Sequence, residues 1–68
     1  MTYDKRFITH REKNLISSLM LKKGINDKAI SRRMGVFNKV STFRSFMNGQ
    51  KIIEEQYIKD LITWLKSL

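Results

Sequence analysis

Gly24-Ile25-Asn26-Asp27-Lys28-Ala29-Ile30-Ser31-Arg32-Arg33-Met34-Gly35-Val36 runs directly into Phe37-Asn38-Lys39-Val40-Ser41-Thr42-Phe43-Arg44-Ser45-Phe46-Met47-Asn48-Gly49, and the punctuation of these two halves decides the fold. In the first half Asn26 suits an N-cap, since its side-chain oxygen can accept from a backbone N–H of the first turn, and Asp27 suits the positive end of a helix. Ile25 before the cap and Ile30 at the fourth helical position can close a hydrophobic staple. Ile30 and Met34 are four residues apart and should face inward, leaving Lys28, Arg32 and Arg33 in solvent. Gly35 is expected to end this helix in a conformation that other residues adopt only with strain. Val36 to Lys39 form the turn, with Asn38 the expected cap of the next helix. There Val40, Phe43 and Met47 fall at i, i+3, i+7 with Phe46 beside them, while Ser41, Thr42, Arg44, Ser45 and Asn48 take the opposite face. Asn48-Gly49 is a turn signal that closes the second helix.

Working outward, Thr9-His10-Arg11-Glu12 matches a capping box, in which hydroxyl and carboxylate each satisfy an orphan backbone donor. Leu15, Ile16, Leu19 and Met20 form one apolar stripe behind it, and Lys22, Lys23 and Gly24 suit a helix C-terminus. A helix over about 10–23 follows, with His10 a solvated first-turn residue. Downstream, residues from about 51 to 67 read as one amphipathic helix. Ile53, Tyr57, Leu61, Trp64 and Leu68 repeat at spacings of three and four, flanked by Ile52, Ile58, Ile62 and Leu65, and Glu55 precedes Lys59 by four. This apolar face is broader than one side of a small core needs. Tyr57, Leu61, Trp64, Leu65 and Leu68 are therefore candidates for a dimer seam.

The expected fold is all-α, a compact bundle of four or five helices over a single domain, residues 1–68. A strand over residues 2–8 is an alternative for the N-terminal segment. At 68 residues without cysteine, neither disulfides nor a thiolate metal site can supplement the core. One histidine and six carboxylates argue against a zinc site, and no metal or other cofactor is expected. No nucleophile has an evident base partner and no glycine-rich phosphate loop is present, so an enzyme with a small-molecule substrate is not expected. Glu54, Glu55 and Asp60 fall on the wet side of the last helix. No run approaches the ~18 apolar residues of a membrane span. The Met-Thr-Tyr-Asp-Lys-Arg start has no secretion signal, and a cytoplasmic protein, in a bacterial or phage-infected cell, is expected.

The formal charge of +8 is unevenly placed. Residues 1–51 hold twelve Lys/Arg against three acids, whereas 52–68 hold two lysines against three. Between Lys28 and Ile53 there are six Lys/Arg and no acid. A basic body beside a near-neutral apolar tail suggests a polyanion-binding surface next to a packing segment. Two short helices across a turn in that basic window have the layout of a helix-turn-helix, whose second helix can enter the DNA major groove.

The order Gly24, Ile25, Asn26, Asp27 to Ala29, Ile30, Ser31, Arg32, Arg33, Met34, Gly35, Val36, closed by Phe43, Phe46, Asn48 and Gly49, resembles the Cro/repressor class of helix-turn-helix domains of phage regulators. The resemblance covers about residues 10–62, with the helix-turn-helix at about 26–48. Ser31 stands where the family usually has Ala, Asp27 where it often has Gln, and the stretch from Val36 to Asn48 is two residues longer than the common spacing. By position the resemblance implies base-edge readers at Lys39, Val40, Ser41, Thr42, Arg44 and Ser45. Their chemistry fits base edges: Arg and Lys donate to guanine, Ser and Thr to several edges, and a Val methyl can touch thymine. Phosphate contacts fall to Lys28, Arg32, Asn38, Asn48, Gln50 and Lys51, and Lys5 and Arg6 can form an arm over the DNA. The implied function is sequence-specific binding of double-stranded DNA by a homodimeric transcriptional regulator acting by operator occlusion. Two readings stay open beside it: a recombination directionality or architectural DNA-binding factor, and a module for a protein partner, such as an antitoxin or an inhibitor of a host regulator.

Overall fold

The computed structural model describes residues 4–68. Four helices and a minimal two-stranded sheet follow the order β1 (Lys5–Arg6), α1 (His10–Lys23), α2 (Asp27–Arg33), a 3-10 turn (Gly35–Phe37), α3 (Val40–Met47), β2 (Ile53–Glu54) and α4 (Glu55–Ser67). No helix among the described residues is long and apolar enough to cross a membrane.

Local chemistry accounts for most boundaries. At the start of α1 the Glu12 N–H donates to Thr9 Oγ1 and the Thr9 N–H to Glu12 Oε1, both at 3.1 Å, completing the capping box. Gly24 ends α1 at φ 69°, and the Ile25 N–H reaches back to Met20 O at 2.9 Å. Gly49 does the same for α3 at φ 73°, with the Gln50 N–H donating to Ser45 O at 2.9 Å. Both are Schellman closures, in which a left-handed residue lets orphan helix carbonyls be satisfied. Asn26 caps α2 by accepting from the Ala29 N–H at 2.9 Å.

Three local expectations are corrected. Gly35 does not end α2 in the left-handed region; Met34 caps it in an extended conformation, and Gly35 opens the 3-10 turn. Asn38 is not a cap: it has helical backbone angles, and Lys39 precedes α3 without a side-chain cap. The last helix starts at Glu55 rather than near 51, because Ile53 and Glu54 pair with β1 in antiparallel register, Arg6 opposite Ile53 and Lys5 opposite Glu54. No capping side chain competes with that pairing. The Asp4 carbonyl instead accepts from the Glu55 N–H at 2.9 Å, so the N-terminal segment supplies an acceptor for the start of α4. The strand reading of the N-terminal segment thus holds for Lys5 and Arg6, and residues 2 and 3 lie outside the described residues.

The core gathers one face of every helix. Ile16 of α1, Ile30 of α2, Phe43 and Phe46 of α3, and Ile58, Leu61 and Leu65 of α4 are buried around Phe37 of the turn and Ile53 of β2. Burying a side chain of this size contributes roughly 1.5–3 kcal/mol, and these clustered residues are the main source of stability in so small a domain. Leu61 and Leu65 are wholly inaccessible, which corrects their assignment to a dimer seam: within the monomer they belong to the core cluster and do not reach solvent.

Arg6 fastens the N-terminal strand to two helix starts. Its Nη1 and Nη2 donate to both Glu12 oxygens at 2.7 and 2.8 Å, and its Nε to Glu55 Oε2 at 3.1 Å. Glu55 also meets Lys59 one turn on, at 2.9 Å. The Arg6 guanidinium and the Thr9 backbone hold the Glu12 carboxyl at about 2, well below the usual carboxylate range. Arg6 is thus engaged within the fold, and its assignment to a DNA-reaching arm is corrected.

Candidate nucleic-acid interface

The orientation of α3 is set by its aromatic anchors. Phe43 meets Phe37 edge-on with ring centroids 5.3 Å apart, and Phe46 meets the same ring at 5.4 Å. With two aromatic side chains three apart held inward, the helical period turns the intervening positions outward. Ser41 and Arg44 are exposed on that outer face, Thr42 and Ser45 are half-buried beside them, and Asn48 is exposed at the C-cap. Lys39 is exposed just before the helix. Val40 is half-buried but does not join the core cluster.

The polar residues around α3 are equally open. Lys28 and Arg32, four apart, are exposed on α2, as are Asn38 before α3 and Gln50 and Lys51 after it. Among the described residues Lys28, Arg32, Lys39 and Lys51 make no ion pair, so their charge is available to an outside anion. The two helices are in direct contact, and the longer link between them is taken up by the 3-10 turn, with Phe37 sealed beneath it. Ser31 of α2 is drawn in far enough that its Oγ is buried with no hydrogen-bond partner among the described residues.

Two contacts of this unit escaped sequence reasoning. Arg44 Nε donates to Asp27 Oδ2 at 2.9 Å, linking the outer face of α3 to the start of α2. Arg33 lies over the Trp64 ring, 5.5 Å from its centroid, and so ties the end of α2 to α4. Both join residues far apart in sequence, and no periodicity predicts them. The one available signal was that Asp27 is the sole acid between Glu12 and Glu54. Arg33, Tyr57, Asp60 and Trp64 also line a groove of about 510 Å³ between the end of α2 with its following turn and α4. Of the seam candidates, Tyr57 and Leu68 remain exposed, and Trp64 is half-buried against the core.

Among the described residues no three His, Asp or Glu side chains are gathered as metal ligands would be. No protein-family model, curated protein or solved structure matches the chain. This face offers its own chemistry: hydrogen-bonding groups along one exposed helix face, with cations on α2 and after α3 that make no ion pair among the described residues.

Proposed function

We propose that the protein binds duplex DNA in a sequence-specific manner as a small transcriptional regulator of the Cro/repressor type. The observation that carries this reading is the outer face of α3, where Lys39, Ser41 and Arg44 are exposed beside Lys28, Arg32 and Lys51, which make no ion pair among the described residues. Lys39, Val40, Ser41, Thr42, Arg44 and Ser45 would meet base edges in the major groove. Lys28, Arg32, Asn38, Asn48, Gln50 and Lys51 would meet phosphates and set the register. The protein would act in the cytoplasm of a bacterial or phage-infected cell, occluding a promoter without cofactor or catalysis.

One such domain offers little interface for tight specific binding, and a homodimer with its two α3 helices about one DNA turn apart supplies the rest. Tyr57, Trp64 and Leu68 share one side of α4 and are the residues left to form its seam. The deciding experiment is selection of the protein on a random duplex library at near-physiological salt, followed by sequencing. A partly symmetric enriched site is expected. Footprints at attachment sites with clear bending of the DNA would assign an architectural role instead. No enrichment, with binding that collapses as salt rises, would discard the regulator and point to a protein partner.

A further inference from the structure

Arg44 is the longest donor on the outer face of α3, and it does not project alone. Its Nε donates to Asp27 Oδ2 at 2.9 Å, and among the described residues Nη1 and Nη2 make no hydrogen bond. The Arg44 side chain is two-thirds exposed, whereas that of Asp27 is 30 % exposed, so the guanidinium is the more accessible partner of the pair. This geometry has two consequences. Held by its inner nitrogen, the guanidinium presents its two outer nitrogens as a parallel pair of donors, the match for O6 and N7 of guanine in the major groove. At the same time the adjacent carboxylate cancels much of the cation's attraction for phosphate, which is not directional and acts at longer range.

We propose that Asp27 is a positioning residue that commits Arg44 to a guanine and discourages it from binding phosphate. The inference rests on the reading of α3 as the base-reading helix and adds to it a specific base and a second residue. Asp27 does not touch DNA in this scheme; it fixes the Arg44 rotamer before encounter, so that less side-chain freedom is lost when the guanine contact forms.

Parallel library selections with the wild type, Asp27→Asn, Arg44→Ala and the double variant test this. They are followed by titration of the wild-type site, of versions with single guanines replaced, and of random duplex, across a salt series. One guanine per half-site is expected whose replacement weakens wild-type binding by about tenfold or more. That penalty should shrink to within about twofold in both Arg44→Ala and Asp27→Asn. Asp27→Asn should also bind random duplex more tightly, its log–log salt slope steeper by about one as Arg44 turns to phosphate. In the Arg44→Ala background, Asp27→Asn should change the guanine penalty no further, whereas a merely structural role for Asp27 would lower affinity in both backgrounds alike. Asp27→Ala, which favours helix more than Asn does, serves as a second variant should Asp27→Asn melt early. If the wild type enriches no site, the DNA reading falls and this inference with it. A wild-type site whose guanine preference survives either Arg44→Ala or Asp27→Asn overturns this inference alone.

Discussion

Ser31 shows how one hydroxyl can run against the packing around it. Its Oγ is buried with no partner among the described residues, so folding strips water from the group without replacing the lost hydrogen bond. Ser31→Ala removes that group and adds helix propensity, and it should stabilise the protein by about 1 kcal/mol in urea denaturation. A loss of stability would mean that the hydroxyl is satisfied in solution. The glycines divide in the same physical terms. Gly49 has φ 73°, whereas Gly35 has an ordinary backbone and open space where a Cβ would stand. Gly49→Ala should therefore cost about 1 kcal/mol or more and Gly35→Ala close to nothing, as read by thermal melting. The sequence marks both glycines as helix terminators, because composition records that a residue is permissive and not whether its freedom is used. Asn26, Thr9 and Gly24 were legible because a cap acts within one turn of its own residue. The Asp27–Arg44 pair was not, because it depends on how two helices cross.

At the scale of elements, the N-terminal strand is held both by its two paired residues and by the Arg6 side chain that clamps α1 to α4. The ionic part of the clamp requires Glu12 to be charged. The Glu12 carboxyl titrates at about 2 in the folded protein against an ordinary value of 4.5. A carboxyl with a depressed folded value binds protons more readily when unfolded, so its contribution is complete above about 4.5 and disappears as pH falls toward about 2. Glu55, lowered by Lys59 first and Arg6 second, adds in the same direction. Denaturation midpoints should accordingly fall between about pH 5 and pH 2, as the Glu12 carboxyl protonates. Glu12→Gln should be less stable at pH 6 and show a flatter decline, and an unchanged slope would remove the clamp from the account. This element also explains the misplaced start of α4. Amphipathic spacing runs unbroken from Ile52 to Leu68, and only a partner strand from the far end of the chain draws Ile53 and Glu54 out of the helix.

For the whole molecule, the central question is which apolar surface of α4 serves folding and which stays exposed. The stripe read from the sequence mixes the two. Leu61 and Leu65 are sealed in the core together with Ile58, while Tyr57 and Leu68 stand at 38 % and 48 % exposure on the flank. Spacings of three and four mark an apolar helix face but not its centre line, which is fixed only once α1 packs against α4. The two groups should separate under mutation. Leu61→Ala leaves a cavity in a small core and should cost about 2–5 kcal/mol, enough to unfold much of the protein at room temperature. Tyr57→Ala and Leu68→Ala remove little that the monomer needs, so each should leave the helical circular dichroism and the melting of dilute protein nearly unchanged. If the flank is the dimer seam, the pair should weaken self-association in sedimentation equilibrium and broaden binding to a two-half-site duplex, while sparing a single half-site. Should the double variant associate as the wild type does, the homodimer must join through another surface, and the spacing expected between paired α3 helices would have to be derived from that surface.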